Sequence, residues 1–196
     1  MPNGQIQVDV DFIAQNEGGV ILKGYVPEAA TTRSGVTIGM GVDLGQRTPE
    51  DLNAMQISQA LKDQLTPYLG LQGEDAASFL QANPLQITAA DAATLDSAAL
   101  NPIITAVQTN YDAAQPPVAF ADLAAEAQTA LVDLAYQYGT GLAKATPHFW
   151  GDVTQGNWSK AVAELKNFGD KYPTRRNREA ALIQQALNSG TLASGN

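Results

Sequence analysis

Apolar positions recur every three to four residues along most of the chain, but near its start they alternate instead. The alternating runs are Val20 to Val26 and Val36 to Val42, both rich in β-branched or aromatic residues, which predicts extended strands. A polar, turn-like connection from Pro27 to Ser34 joins them into a small hairpin or three-stranded sheet. Strand periodicity puts Val36, Ile38, Met40 and Val42 on one face, and Thr37, Gly39, Gly41 and Asp43 on the other. Ahead of the strands, Val10 to Glu17 reads as a short helix capped by Asp9 or Asp11, with Phe12 and Ile13 on its buried side. Gly18 or Gly19 suits the left-handed position past its end.

Beyond Thr48 the pattern is helical. Thr48-Pro49-Glu50-Asp51 joins a cap, a proline at the first position and acids in the first turn. Helices are predicted from Ser58 to Leu65 and near Glu74 to Gln81. Thr88 to Asp91 is a capping box opening an Ala/Leu-rich segment interrupted before Pro102, and Leu100 to Ala114 is helical again. Pro116-Pro117 reads as a hinge. The clearest stripe is Phe120 to Tyr138, with Leu123, Ala127, Ala130, Leu131, Leu134 and Tyr138 at helical spacing and Asp133 on the solvated side. Asn157 to Lys166 is amphipathic, and a last helix opens at Arg175, Arg176 and Arg178 and runs through Leu187. Trp150 and Trp158 are assigned to core packing. The fold class is α+β: a hairpin sheet over about 17–46, a helical lobe over about 48–188, and a cleft between. One domain covers 1–188, and 189–196 is a fraying tail.

Composition narrows the function. The 196 residues carry a net charge of −9, which argues against nucleic acid as a partner. The charge is uneven: Lys62 is the only basic residue from Thr48 to Ala143, whereas Lys144 to Arg178 holds seven of the eleven. There is no cysteine, and the single histidine, His148, leaves nothing from which to build a zinc site, so no metal and no cofactor are expected. No apolar run approaches the length of a membrane span, and Met1 to Gln7 lacks the features of an ordinary signal peptide.

The chemistry concentrates between Glu17 and Gly45. Two carboxylates, Glu17 and Asp43, and the Thr37 hydroxyl stand on glycine-rich backbone, the equipment for cutting a glycosidic bond. Glu17 falls in the last helical turn, where the negative end of the macrodipole disfavours a carboxylate, a setting that suits a general acid. Gly39 and Gly41 leave a smooth floor between Thr37 and Asp43 for a sugar to approach. Glu28, nine residues before Thr37, is the rival second carboxylate.

Glu17-Gly18, followed about twenty residues later by Gly35-x-Thr37-Ile38-Gly39-x-Gly41, resembles the active-site hairpin of phage-type lysozymes, glycoside hydrolase family 24. Ala127 to Gly139 is similar to that family's long core helix ending in Gly. Asn157 to Ala163 and Tyr172 to Arg178 resemble its closing Trp-containing helix and its Pro-x-Arg segment. The family's usual second aspartate, before the threonine, is replaced here by Thr31. Asp43, six residues after Thr37, matches instead the pesticin-type muramidase variant found among bacteriocins, secreted effectors and endolysins. The resemblance implies cleavage of the β-1,4 bond between N-acetylmuramic acid and N-acetylglucosamine in peptidoglycan, with Glu17 as acid and Asp43 and Thr37 handling the attacking water. It places Tyr138 and Arg175 on the substrate side, Arg175 aligning with an arginine that pairs with the catalytic glutamate. It further implies a monomer made in the cytoplasm and acting in the periplasm or cell wall of a target or host bacterium. The alternatives are a non-catalytic peptidoglycan-binding module and a protein-interaction domain, such as one recognised by an immunity protein.

Overall fold

The computed structural model describes residues 4–192. The chain divides into two compact units, Ala14–Asn101 and, built from both ends of the chain, Met1–Ile13 with Pro102–Asn196. The helices between Pro49 and Asn101 thus group with the sheet.

The short first helix, α1 (Val10–Asn16), begins where Asp9 Oδ1 accepts the Phe12 N–H at 3.0 Å, so of the two candidate caps Asp9 is the one used. At its other end the Gly19 N–H reaches back to the Ala14 carbonyl at 2.8 Å, and Gly18 and Gly19 have φ of +96° and +95°. That is a Schellman-type closure, which needs residues free of a Cβ penalty. Glu17 is the exposed residue just past the helix.

In the Ala14–Asn101 unit, strands β1 (Ile21–Tyr25), β2 (Thr37–Gly39) and β3 (Val42–Asp43) form an antiparallel sheet in the order β1-β2-β3. Val36 to Val42 is therefore not one strand. The chain turns at Met40-Gly41 and folds back, with Gly39 at φ +65° and Gly41 at φ +98° carrying the reversal. The turn overrides the alternation expected across the run. Four helices follow: α2 (Pro49–Ala54), α3 (Gln59–Leu65), α4 (Gly73–Ala82) and α5 (Ala89–Ala113). The caps foreseen at Thr48 and Thr88 are made: Thr48 exchanges bonds with Asp51, and Thr88 Oγ1 accepts the Asp91 N–H; Ser58 Oγ likewise accepts from Leu61. The interruption expected before Pro102 does not occur, since α5 runs unbroken through it. Proline removes one helical hydrogen bond, and neighbouring Ala and Leu turns hold the rest. The core of this unit gathers Val36, Ile38, Leu44, Leu61, Leu65 and Leu95 beneath the sheet.

In the other unit, the expected helix from Phe120 begins later. Phe120–Asp122 forms a separate 3-10 turn, Leu123 and Ala124 are extended, and α6 spans Ala125–Tyr138. Every residue from Ala127 to Ala135 is buried, so α6 has no solvated side over that length. Then come α7 (Leu142–Ala145), α8 (Pro147–Thr154), α9 (Trp158–Lys166) and α10 (Pro173–Asn188), with α10 packed on both α6 and α9. Trp150 and Trp158 are core residues, as assigned. Past α10, Thr191 and Leu192 donate back to the Ala186 carbonyl, and Leu192 is buried. The rest of the expected tail, 193–196, lies outside the described residues.

Candidate active site

The fold-back at Met40-Gly41 makes Thr37 and Asp43 directly opposed register partners, with Ile38 facing Val42. Opposed residues of an antiparallel pair lie on one face, so the two side chains share a face, as expected, though for a different reason. Gly35 ties them together. Its N–H donates to Asp43 Oδ1 at 3.0 Å, and its carbonyl accepts from Thr37 Oγ1 at 3.2 Å. Asp43 Oδ1 also accepts the Gly45 N–H at 2.8 Å. Both of these bonds fall on one carboxylate oxygen, which orients Asp43 and leaves Oδ2 for another donor. Thr37 is buried and Asp43 half-buried.

The clamp depends on two glycines whose roles the sequence did not disclose. A Cβ on Gly35 would lie 2.3 Å from the Gly45 Cα, and one on Gly45 would lie 2.4 Å from the Leu71 carbonyl oxygen. Backbone meets backbone here, and no side chain can swing aside.

Gly39 and Gly41 differ. Gly41 is exposed. Gly39 is buried, and a Cβ there would fall 2.3 Å from Asp96 Oδ1, so an acid from α5 occupies the space beside it. Asp96 was not foreseen. Its signal was an acid on the buried stripe of α5 that also carries Ala92, Leu95 and Leu100. Glu17 lies at the entry to the same sheet: β1 begins at Ile21, whose register partner is Gly39. Glu28, the rival acid, is exposed in the β1–β2 connection with φ +42°, and its Oε2 accepts from Thr31 at 3.4 Å.

Tyr138 and Arg175 belong to the other unit, in one buried polar network. Arg175 grips Asp133 through Nε at 3.0 Å and Nη2 at 2.8 Å, and also donates to the Asp133 carbonyl. Asp133, expected to be solvated, is fully buried and ion-paired. Arg176 pairs with Glu179 at 2.6 Å and with Asp170 at 3.3 Å, and donates to Gln137. Tyr138 donates to Asp170 at 2.6 Å, with the Arg176 guanidinium 5.6 Å from its ring centre. Burial, reinforced by the hydrogen bond to Asp170, pushes the Tyr138 hydroxyl up to about 12, so it keeps its proton. Burial first, and the hydrogen bond with Asp133 second, push Glu179 far above the ordinary carboxylate range. The basic start of α10 is thus no solvated turn: Arg175 and Arg176 are buried among acids.

His148 is exposed on α8, and the described residues contain no cluster of three or more potential metal ligands. No described helix is long and apolar enough to cross a membrane.

A three-stranded antiparallel sheet bearing an opposed Thr and Asp, in an otherwise helical chain, is an α+β fold of the lysozyme-like class. The profile of the Pesticin family, described as "Bacterial toxin homologue of phage lysozyme, C-term", matches residues 7–159, and the chain belongs to that family. The match spans Glu17, Thr37, Asp43 and Tyr138 and ends before Arg175. Comparison with curated proteins finds no match.

Proposed function

We propose that the protein is a muramidase that hydrolyses the β-1,4 bond between N-acetylmuramic acid and N-acetylglucosamine in peptidoglycan. Membership of a family of phage-lysozyme homologues supports a peptidoglycan hydrolase in general. The observation that carries the finer reading is the Thr37–Asp43 pair, opposed in register and clamped by the backbone N–H and carbonyl of Gly35.

In this reading Glu17 protonates the leaving oxygen. Asp43, oriented through Oδ1 by the Gly35 and Gly45 N–H groups, presents Oδ2 to a water and takes its proton. The Thr37 hydroxyl gives its hydrogen to the Gly35 carbonyl and keeps lone pairs with which to hold that water. Attack by water on the face opposite the leaving group inverts the anomeric centre, a course that places the two carboxyl groups about 6.5–9.5 Å apart. Gly39 and Gly41 are assigned to the substrate side, and the setting is bacterial lysis, as an endolysin or as a toxin or effector paired with an immunity protein.

Digestion of purified peptidoglycan, borohydride reduction and mass spectrometry test the bond. Reduced muramic-acid ends are expected. Reduced glucosamine ends would make the enzyme a glucosaminidase, and binding without new ends would leave a peptidoglycan-binding module.

A further inference from the structure

The β2–β3 ladder is very short, with Thr37↔Asp43 and Ile38↔Val42 as its two register pairs. So small a ladder does not fix its own register, and a slip of one residue would send Thr37 and Asp43 to opposite faces. The Gly35 backbone ties the open end, through its N–H to Asp43 and its carbonyl to Thr37. The turn end is held from outside the sheet, by α5.

Asp96 of α5 is 1% exposed, and its Oδ1 accepts the Met40 N–H at 2.8 Å. Its Oδ2 is also buried and has no hydrogen-bond partner. The absent Cβ of Gly39 is what lets the carboxyl come this close, since a Cβ would overlap Oδ1. An apolar side chain would fill this part of the core without the cost of an unpaired buried oxygen. Burial also lifts Asp96 above its ordinary range, with the Met40 N–H opposing that shift. A carboxyl here weakens the core and does one visible thing: it grips the turn joining the strand of Thr37 to the strand of Asp43.

We propose that Asp96 is a positioning residue for the hydrolysis, seating the Gly39-Met40 peptide so that Thr37 and Asp43 stay opposed. This rests on the muramidase reading. Asp96 acts through the hairpin and touches neither substrate nor water.

The test compares Asp96→Asn, which keeps an acceptor at the same place, with Asp96→Ala, which removes it. Turnover and KM on soluble peptidoglycan fragments are read beside amide exchange at Met40. Asp96→Ala is expected to lose about tenfold or more in kcat with KM within about threefold, as small misplacements of catalytic groups do. Asp96→Asn is expected to restore kcat to within about threefold of wild type, and Met40 exchange to be about tenfold faster in Asp96→Ala than in Asp96→Asn. Wild-type kcat in Asp96→Ala, or equal losses in both variants, would overturn the proposal. If Asp96→Ala does not fold, the wild-type protein decides: Met40 must be as protected as the ladder amides, and exchange as fast as at exposed Gly41 refutes the grip. If wild type releases no reducing ends, the muramidase reading falls, and Met40 exchange still reports whether Asp96 holds the turn.

Discussion

Gly35 is the residue on which the proposed chemistry leans most, because its backbone N–H holds Asp43 and its carbonyl holds Thr37. Gly35→Ala is predicted to destabilise the protein by about 2–4 kcal/mol, since the new methyl group meets the Gly45 backbone and neither chain can yield cheaply. Thermal or urea unfolding measures this, and an unchanged midpoint would mean that the backbones part easily. Glu28 stands apart from this clamp in an exposed turn. Glu28→Gln should keep activity within about threefold of wild type, whereas a loss of about a hundredfold or more would transfer the role of second carboxylate from Asp43 to Glu28. Much of the residue-scale picture was legible: the order Glu17, Thr37, Asp43 on glycine-rich backbone picks out the hairpin. The clamp was not, because the closeness of Gly35, Gly45 and Leu71 is a property of the folded backbone that no local pattern records.

At the scale of elements, caps were readable because they are local: Asp9, Thr48 and Thr88 each bond an N–H three residues on. The break at Met40-Gly41 was misread because alternation of apolar residues continues across a turn whose glycines look like strand positions. Asp133 was misread for the opposite reason. A helix buried all round carries an acid inside when a partner helix supplies the cation, and α10 supplies Arg175. The same helix brings Glu179, buried and raised in pKa. The folded state therefore holds a proton that the unfolded chain releases above its ordinary value of 4.5. That stabilisation is complete below the unfolded value and is lost as pH rises toward the folded one. Unfolding free energy should accordingly fall relative to that of Glu179→Gln between about pH 5 and pH 8, by at most about 1.4 kcal/mol per pH unit for one proton. Parallel stability curves for the two proteins would show that Glu179 is ionised beside Arg176.

At the scale of the whole molecule, the net charge of −9 opposes approach to an anionic wall. Of the seven basic residues between Lys144 and Arg178, Arg175 and Arg176 are buried in ion pairs, so fewer face solvent than the sequence suggests. Raising ionic strength from about 0.01 M to 0.15 M shortens the screening length from about 30 Å to 8 Å. It is predicted to speed digestion of intact walls severalfold while leaving rates on soluble neutral fragments nearly unchanged. Slower wall digestion at the higher salt would instead point to a basic surface that meets the substrate. The α+β class was readable from the switch between alternating and helical periods. The grouping of α2 to α4 with the sheet was not, because helix periodicity says which face is buried and not against what.

The most direct test of the account is reducing-end release from purified peptidoglycan by wild type, Glu17→Gln and Asp43→Asn, with circular dichroism to verify folding. Wild type is predicted to release muramic-acid ends, with a loss of about a thousandfold or more in each folded variant. Wild-type rates in either folded variant would contradict the assignment of that carboxylate, and no release by wild type would contradict the muramidase reading itself.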